Sequence, residues 1–176
     1  MATILDVEKE KYIEKYKIMK AEYTRFKRDN VQQQGLMEFS VHVEEPIRLY
    51  STVSDFIHQA MVVIETSGIR IGNGEERSFI SAIRYIDNLV KHEKQSIDID
   101  ELITSTPDLA GCGYNGANVF SFRADVSLES FWRDIPSRIK IQSQNAKQKN
   151  QYDLKLKEKK VIDTMEKLKE IVDKYI

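Results

Sequence analysis

The sequence predicts a mainly α fold: a helical bundle with long amphipathic N- and C-terminal helices and a minor two-stranded β element. Three observations carry this. Both ends of the chain repeat apolar residues at alternating steps of three and four among lysines and glutamates, the pattern of a helix with one buried face. The middle holds two further apolar stretches bounded by turn residues. Only two short segments alternate with a period of two. A chain of 176 residues, 41% hydrophobic and 31% charged, is long enough for one domain with a real core and carries more charge than an average globular protein. A single helical domain over residues 1–176 is expected. It divides into a long N-terminal helix (1–34), central helices with the small β element (35–136) and a C-terminal helix (137–176).

The N-terminal segment places Tyr12, Tyr16, Met19, Tyr23 and Phe26 at steps of 4, 3, 4 and 3, which predicts a helix from about Asp6 to Gln34 ended by Gly35. "EFSVHVEE" alternates Phe39, Val41 and Val43 with Ser40, His42 and Glu44 and ends at Pro46, as a half-buried strand does. "YSTVSDFIHQAMVVIETSG" reads as a buried helix with Ser51, Thr52 or Ser54 at its N-cap and Gly68 as its stop. After the turn Gly72–Gly74, "EERSFISAIRYIDNLVKHEK" gives a third helix over about Glu75 to Lys94, and "DIDELIT" a short helix ending before Pro107. "NVFSFRADV" sets Phe120, Phe122, Ala124 and Val126 on one face and is the second strand, so the β element is expected near residues 39–44 and 118–126. Phe131 and Trp132, the only tryptophan, are expected to anchor this region to the core. The last segment spaces Leu154, Val161, Met165, Leu168, Val172 and Tyr175 at 7, 4, 3, 4 and 3. Two heptad-like helices therefore bracket the chain, and more apolar stripe is present than two central helices need to cover. A symmetric homodimer is the expected assembly, with an intramolecular bundle as the alternative.

Several function classes are excluded. The longest apolar run, Ala60 to Ile64, is far short of the roughly 20 residues that span a bilayer, so no membrane role is expected. The N-terminus mixes acids and bases from Asp6 onward, unlike a secretory signal or transit peptide, and the single Cys112 allows no internal disulfide; a cytoplasmic setting is expected. Gly111, Gly113 and Gly116 have G-x-G-x-x-G spacing. The segment before them is turn-like and the segment after them has strand periodicity, which is the wrong order for a dinucleotide-binding turn. No nucleotide cofactor is expected. His42, His58 and His92 are the only histidines, and none has the short His/Cys spacing of a zinc site, so no metal is expected either.

Charge is unevenly spread. Residues 1–30 hold 8 Lys/Arg against 6 Asp/Glu, residues 31–136 hold 8 against 16, and residues 137–176 hold 11 against 6. Within "SRIKIQSQNAKQKNQ", Arg138, Lys140, Lys147 and Lys149 stand with no acid among them, the natural place for an anionic partner such as RNA.

One stretch concentrates groups that could do chemistry. In "RYIDNLVKH", Arg84, Asn88 and His92 fall at about 0°, 40° and 80° around a helix, with Lys91 beside them, while Phe79, Ile86, Leu89 and Val90 centre on the other side. A cation, a carboxamide and an imidazole on one stripe could hold a phosphodiester and supply a general acid or base near neutral pH. The other reading is an ordinary solvated polar face.

The stretch "SFISAIRYIDNLVKHEK" resembles the motif-bearing helix of the HEPN superfamily, the higher-eukaryote and prokaryote nucleotide-binding domains, small helical bundles often found in defence and toxin systems. In the catalytic members of that family an arginine, commonly followed by a polar residue, precedes a histidine by a few positions, and two copies meet across a dimer to cut RNA without metal. Here seven residues separate Arg84 from His92, one more than the motif allows, and Asp87 rather than an arginine precedes Asn88. The resemblance therefore implies a non-catalytic or weakly catalytic protein that binds RNA or a partner protein, with a defence setting. Its alternatives are an active metal-independent ribonuclease, in which Arg84 and His92 carry the chemistry and Asn88 orients substrate, and a helical adaptor with no nucleic-acid role.

Overall fold

The computed structural model describes residues 2–33, 47–92, 103–107, 128–134 and 146–176. The fold is mainly α, with five helices and one two-stranded antiparallel sheet among these residues.

Helix α1 (Ile4–Gln33) opens on a reciprocal cap: the Asp6 amide donates to Thr3 Oγ1 at 3.2 Å, and the Thr3 amide donates to the Asp6 carboxylate at 2.8 Å. Its aromatic stripe is buried as expected, with Tyr12 and Met19 fully enclosed, Tyr23 and Phe26 nearly so, and Tyr16 partly. Gly35, the expected stop, lies outside the described residues.

Helix α2 (Ile47–Ser67) starts four residues before the earliest expected cap. Ser51, Thr52 and Ser54 are inside the helix, and the Thr52 hydroxyl donates back to the Leu49 carbonyl at 2.9 Å. The apolar register explains the correction: Leu49, Tyr50 and Val53 continue the buried positions Phe56, Ile57, Ala60, Met61 and Ile64 upstream at helical spacing. The stop at Gly68 is as expected, with φ +64°, a conformation that side chains other than glycine rarely adopt. Helix α3 (Gly74–His92) is capped by Asn73, whose Oδ1 accepts from the Glu75 amide at 2.9 Å.

Strands β1 (Ile103–Pro107) and β2 (Leu128–Trp132) pair antiparallel from Ile103 opposite Trp132 to Pro107 opposite Leu128. The short helix expected over "DIDELIT" is corrected at its end, since Ile103 and Thr104 are strand residues. Ile103 and Thr104 are β-branched, which suits a pleated surface better than a helix. The segments expected to form the sheet, 39–44 and 118–126, lie outside the described residues, as does the glycine cluster with Cys112.

The C-terminal segment is two helices where one was expected: α4 (Ala146–Lys155) and α5 (Val161–Tyr175). The break serves β2. The Glu158 amide donates to the Trp132 carbonyl at 2.9 Å, the Trp132 amide donates to the Lys159 carbonyl at 3.1 Å, and Lys160 bridges Phe131. Glu158 turns the chain with φ 63°. The free edge of β2 thus finds partners that a continuous helix would withhold. Leu154, counted in the expected stripe, is 72% exposed; Tyr152 and Leu156 hold the core positions instead.

The helices pack as antiparallel neighbours. Tyr12 stacks on Phe56 with ring centroids 5.5 Å apart, joining α1 to α2. On its other flank α1 meets α5 through polar tips on its aromatic stripe: Tyr12 Oη donates to Asp173 at 3.2 Å and Tyr16 Oη to Glu166 at 2.5 Å, while Lys20 also reaches Glu166. Burial pushes both phenols well above their ordinary pKa, so they are donors at any physiological pH. Trp132 is the core anchor expected of it, 1% exposed, edge-on to Tyr152 and donating from Nε1 to Thr164 Oγ1 at 3.0 Å.

Candidate functional site

The polar stripe of α3 exists, and its floor is as apolar as expected: Phe79, Ile86 and Leu89 are buried and Val90 partly so. The stripe is not an open surface. Helices α2 and α4 flank it, and each described group on it is engaged by the chain itself.

Arg84 directs its guanidinium to Glu65 of α2, with Nη2 3.6 Å from the carboxylate and the side chain 39% exposed. Its Nε is buried without a hydrogen-bond partner. Asn88 faces α4, its Nδ2 3.4 Å from Gln148 Oε1. Helix α3 ends at His92, whose side chain lies outside the described residues. The structure therefore brings Arg84 and Asn88 onto one stripe but turns them toward different neighbours.

The residue that organises the stripe is Asp87. Its side chain is 5% exposed and takes an ion pair from Lys91, one turn along the same helix, at 2.6 Å. It also faces Nδ1 of His58 on α2 at 3.3 Å. A carboxylate out of water requires such partners, because an unpaired buried charge is strongly unfavourable. Arg84 and Lys91 both lie about one helical turn from Asp87. Lys91 is the one observed, and Arg84 takes Glu65 instead.

Sequence reasoning missed His58. A carboxylate behind Nδ1 orients an imidazole and, with the proton on Nδ1, leaves Nε2 as an acceptor toward solvent. His58 is 49% exposed, but among the described residues no hydroxyl or thiol hydrogen-bonds to it. The pair has the orienting half of an acid–base dyad and, among the described residues, no nucleophile. Its only trace in the sequence is Asp87 four residues before Lys91; nothing local announces a partner on another helix.

Of the four basic residues expected to meet RNA, Arg138 and Lys140 lie outside the described residues. Lys147 is exposed on α4, and Lys149 pairs with Asp153 one turn on, at 2.5 Å. The same neutralisation recurs across the fold: Lys15 pairs with Asp55, Lys155 with Glu75, Lys157 with Asp134 and Lys174 with Glu76. Among the described residues no three His, Cys, Asp or Glu side chains come together as metal ligands, and no helix is long and apolar enough to cross a membrane.

No family model, no curated protein and no solved structure matches the chain.

Proposed function

We propose that this chain is a non-catalytic, HEPN-like helical protein that acts as a homodimer and works by holding a partner protein, in the cytoplasmic defence setting that the resemblance implies. One observation carries the reading. The described groups on the α3 stripe are spent on the chain's own side chains, Arg84 on Glu65, Asp87 on Lys91 and His58, and Asn88 on Gln148. A nuclease site needs a cation and a base turned toward a phosphate, whereas a buried carboxylate beside the stripe repels one. The pairing of the surrounding lysines with acids favours a protein partner over RNA, since phosphate binding draws on unpaired cations.

The test is RNA cleavage in EDTA by wild type, Arg84→Ala and His92→Ala, beside RNA binding across a salt series. The expected result is no cleavage by any of the three and no salt-dependent binding. Wild-type cleavage lost in both variants would establish the ribonuclease reading. Binding that weakens steeply with salt, without cleavage, would replace the protein partner with RNA.

A further inference from the structure

We infer that the outward face of α1 is a self-complementary dimer surface on which two copies of the chain pack antiparallel; this rests on the homodimer reading above and says which surface makes it. The inward face of α1 is covered within one chain, by α2, by β2 and by the acids of α5. The apolar stripes of the terminal helices are thereby used up inside the protomer, so a dimer must be built from something else.

The face turned away is exposed from Asp6 to Ala21 and its charges are segregated; Arg25, at its far end, is half-buried and pairs with Glu22 of the same helix at 3.1 Å. Asp6, Glu10 and Glu14 occupy its N-terminal half, and Lys17 and Arg25 its C-terminal half. Val7 and Ile18, 41% and 40% exposed, lie among them with Ala21, and Ile4 at the helix start is 76% exposed. The spacing 6, 10, 14, 17, 21, 25 is that of one helix face. Glu10, Glu14 and Lys17 make no ion pair with any described residue, in contrast to Lys11, Lys15 and Lys20 beside them, which pair with Glu8, Asp55 and Glu166.

Charge order decides the occupant. A parallel copy would set acid on acid and base on base. An antiparallel copy with its two-fold axis near residues 15 and 16 sets Glu14 of each chain against Lys17 of the other and lays the turn of Asp6 and Glu10 along that of Ala21 and Arg25. Val7 and Ile18 are then covered by the opposing helix. Residues 4–27 of α1 span about 36 Å, long enough for several turns of contact. Such a charge pattern selects orientation and partner, because like charges brought together across an interface are unfavourable.

Sedimentation equilibrium of the full chain at about 100 µM tests this, on wild type, Glu14→Lys, Lys17→Glu and the double exchange. All sites are exposed, and circular dichroism checks that the helices persist. Wild type is expected near twice 20.5 kDa. Each single reversal puts like charges opposite each other twice by symmetry and should weaken the dimer about tenfold or more, and the double exchange should restore it. A wild type that stays at 20.5 kDa overturns the homodimer reading and this surface with it. A dimer indifferent to the single reversals overturns this surface alone and places the contact elsewhere.

Discussion

Glu129 and Asp87 are the two buried carboxylates among the described residues, 4% and 5% exposed, and the fold uses them in opposite ways. Glu129 sits on β2 and is gripped from afar: Tyr23 and Lys27 of α1 both donate to it, and Lys160, just before α5, lies 3.9 Å away. Removing it would release three elements at once. Its two lysines reach water, but Tyr23 is buried. Asp87 is held by Lys91 of its own helix and by His58 of α2, and both of these holders reach water, at 33% and 49% exposure. The contrast separates a carboxylate that fixes architecture from one whose partners can do without it. The α3 stripe looks chemical in the sequence although its described groups are spent on pairing within the chain.

The largest effect should come from breaking the architectural side. Glu129→Ala takes the carboxylate from the buried Tyr23 hydroxyl and unties α1 and the turn before α5 from β2, and should cost about 3 kcal/mol of stability by chemical denaturation, the upper end for a buried polar group that loses its partner. Asp87→Ala should cost roughly half as much, about 1.5 kcal/mol, because Lys91 and His58 can turn to solvent. Equal losses for the two variants would erase the distinction.

A smaller effect sharpens the same comparison by pH. Glu166 is penalised by partial burial, but the Lys20 ammonium and the Tyr16 hydroxyl outweigh this and hold its carboxyl below the ordinary value of 4.5. A depressed carboxyl contributes stability that is fully present above the unfolded pKa and is lost as pH falls through the folded one. Stability should therefore decline below about pH 4.5 and less steeply in Glu166→Gln. The exposure of Glu166 keeps the difference under about 1 kcal/mol. Parallel acid profiles for the two proteins would detach Glu166 from the clasp between α1 and α5.

Much of the fold was legible in the sequence, and the misses share a cause. The α1 stripe, the α3 helix, the Gly68 stop and the buried Trp132 follow from periodicity and residue type, which are local signals. The break at residues 156–160 is not local. It exists because β2 needs backbone partners there, and the step of five from Leu156 to Val161 is its only trace. Counting Leu154 in place of Leu156 hid it behind a step of seven. The early start of α2 is hidden because Ser51, Thr52 and Ser54 are good caps in isolation, while the buried Leu49 and Tyr50 upstream and Val53 among them outweigh that preference. At the candidate site, the stripe was readable from one helix alone. That Glu65, His58 and Gln148 stand opposite it was not, since such pairings depend on how α2 and α4 pack.

The smallest effect is the most discriminating. Arg84→Ala removes the residue on which any nuclease reading depends, yet should change stability by less than about 0.5 kcal/mol. Its pair with Glu65 is long, at 3.6 Å, and both side chains are open to solvent, 39% and 59% exposed; such pairs contribute little because water screens them and the side chains lose freedom to form them. Its Nε is buried without a hydrogen-bond partner, so removal also relieves a polar group left unsatisfied. The two terms oppose each other and the sum is close to zero. Asp87→Ala, one turn away on the same stripe, has no such offset, because it strips a buried carboxylate from the lysine and imidazole that hold it. Measured together by denaturation, the two variants separate the stripe's exposed rim from its buried centre. An Arg84→Ala loss as large as that of Asp87→Ala would mean that Arg84 is packed into the α2–α3 contact as a structural member, and the stripe would then lose its rim altogether.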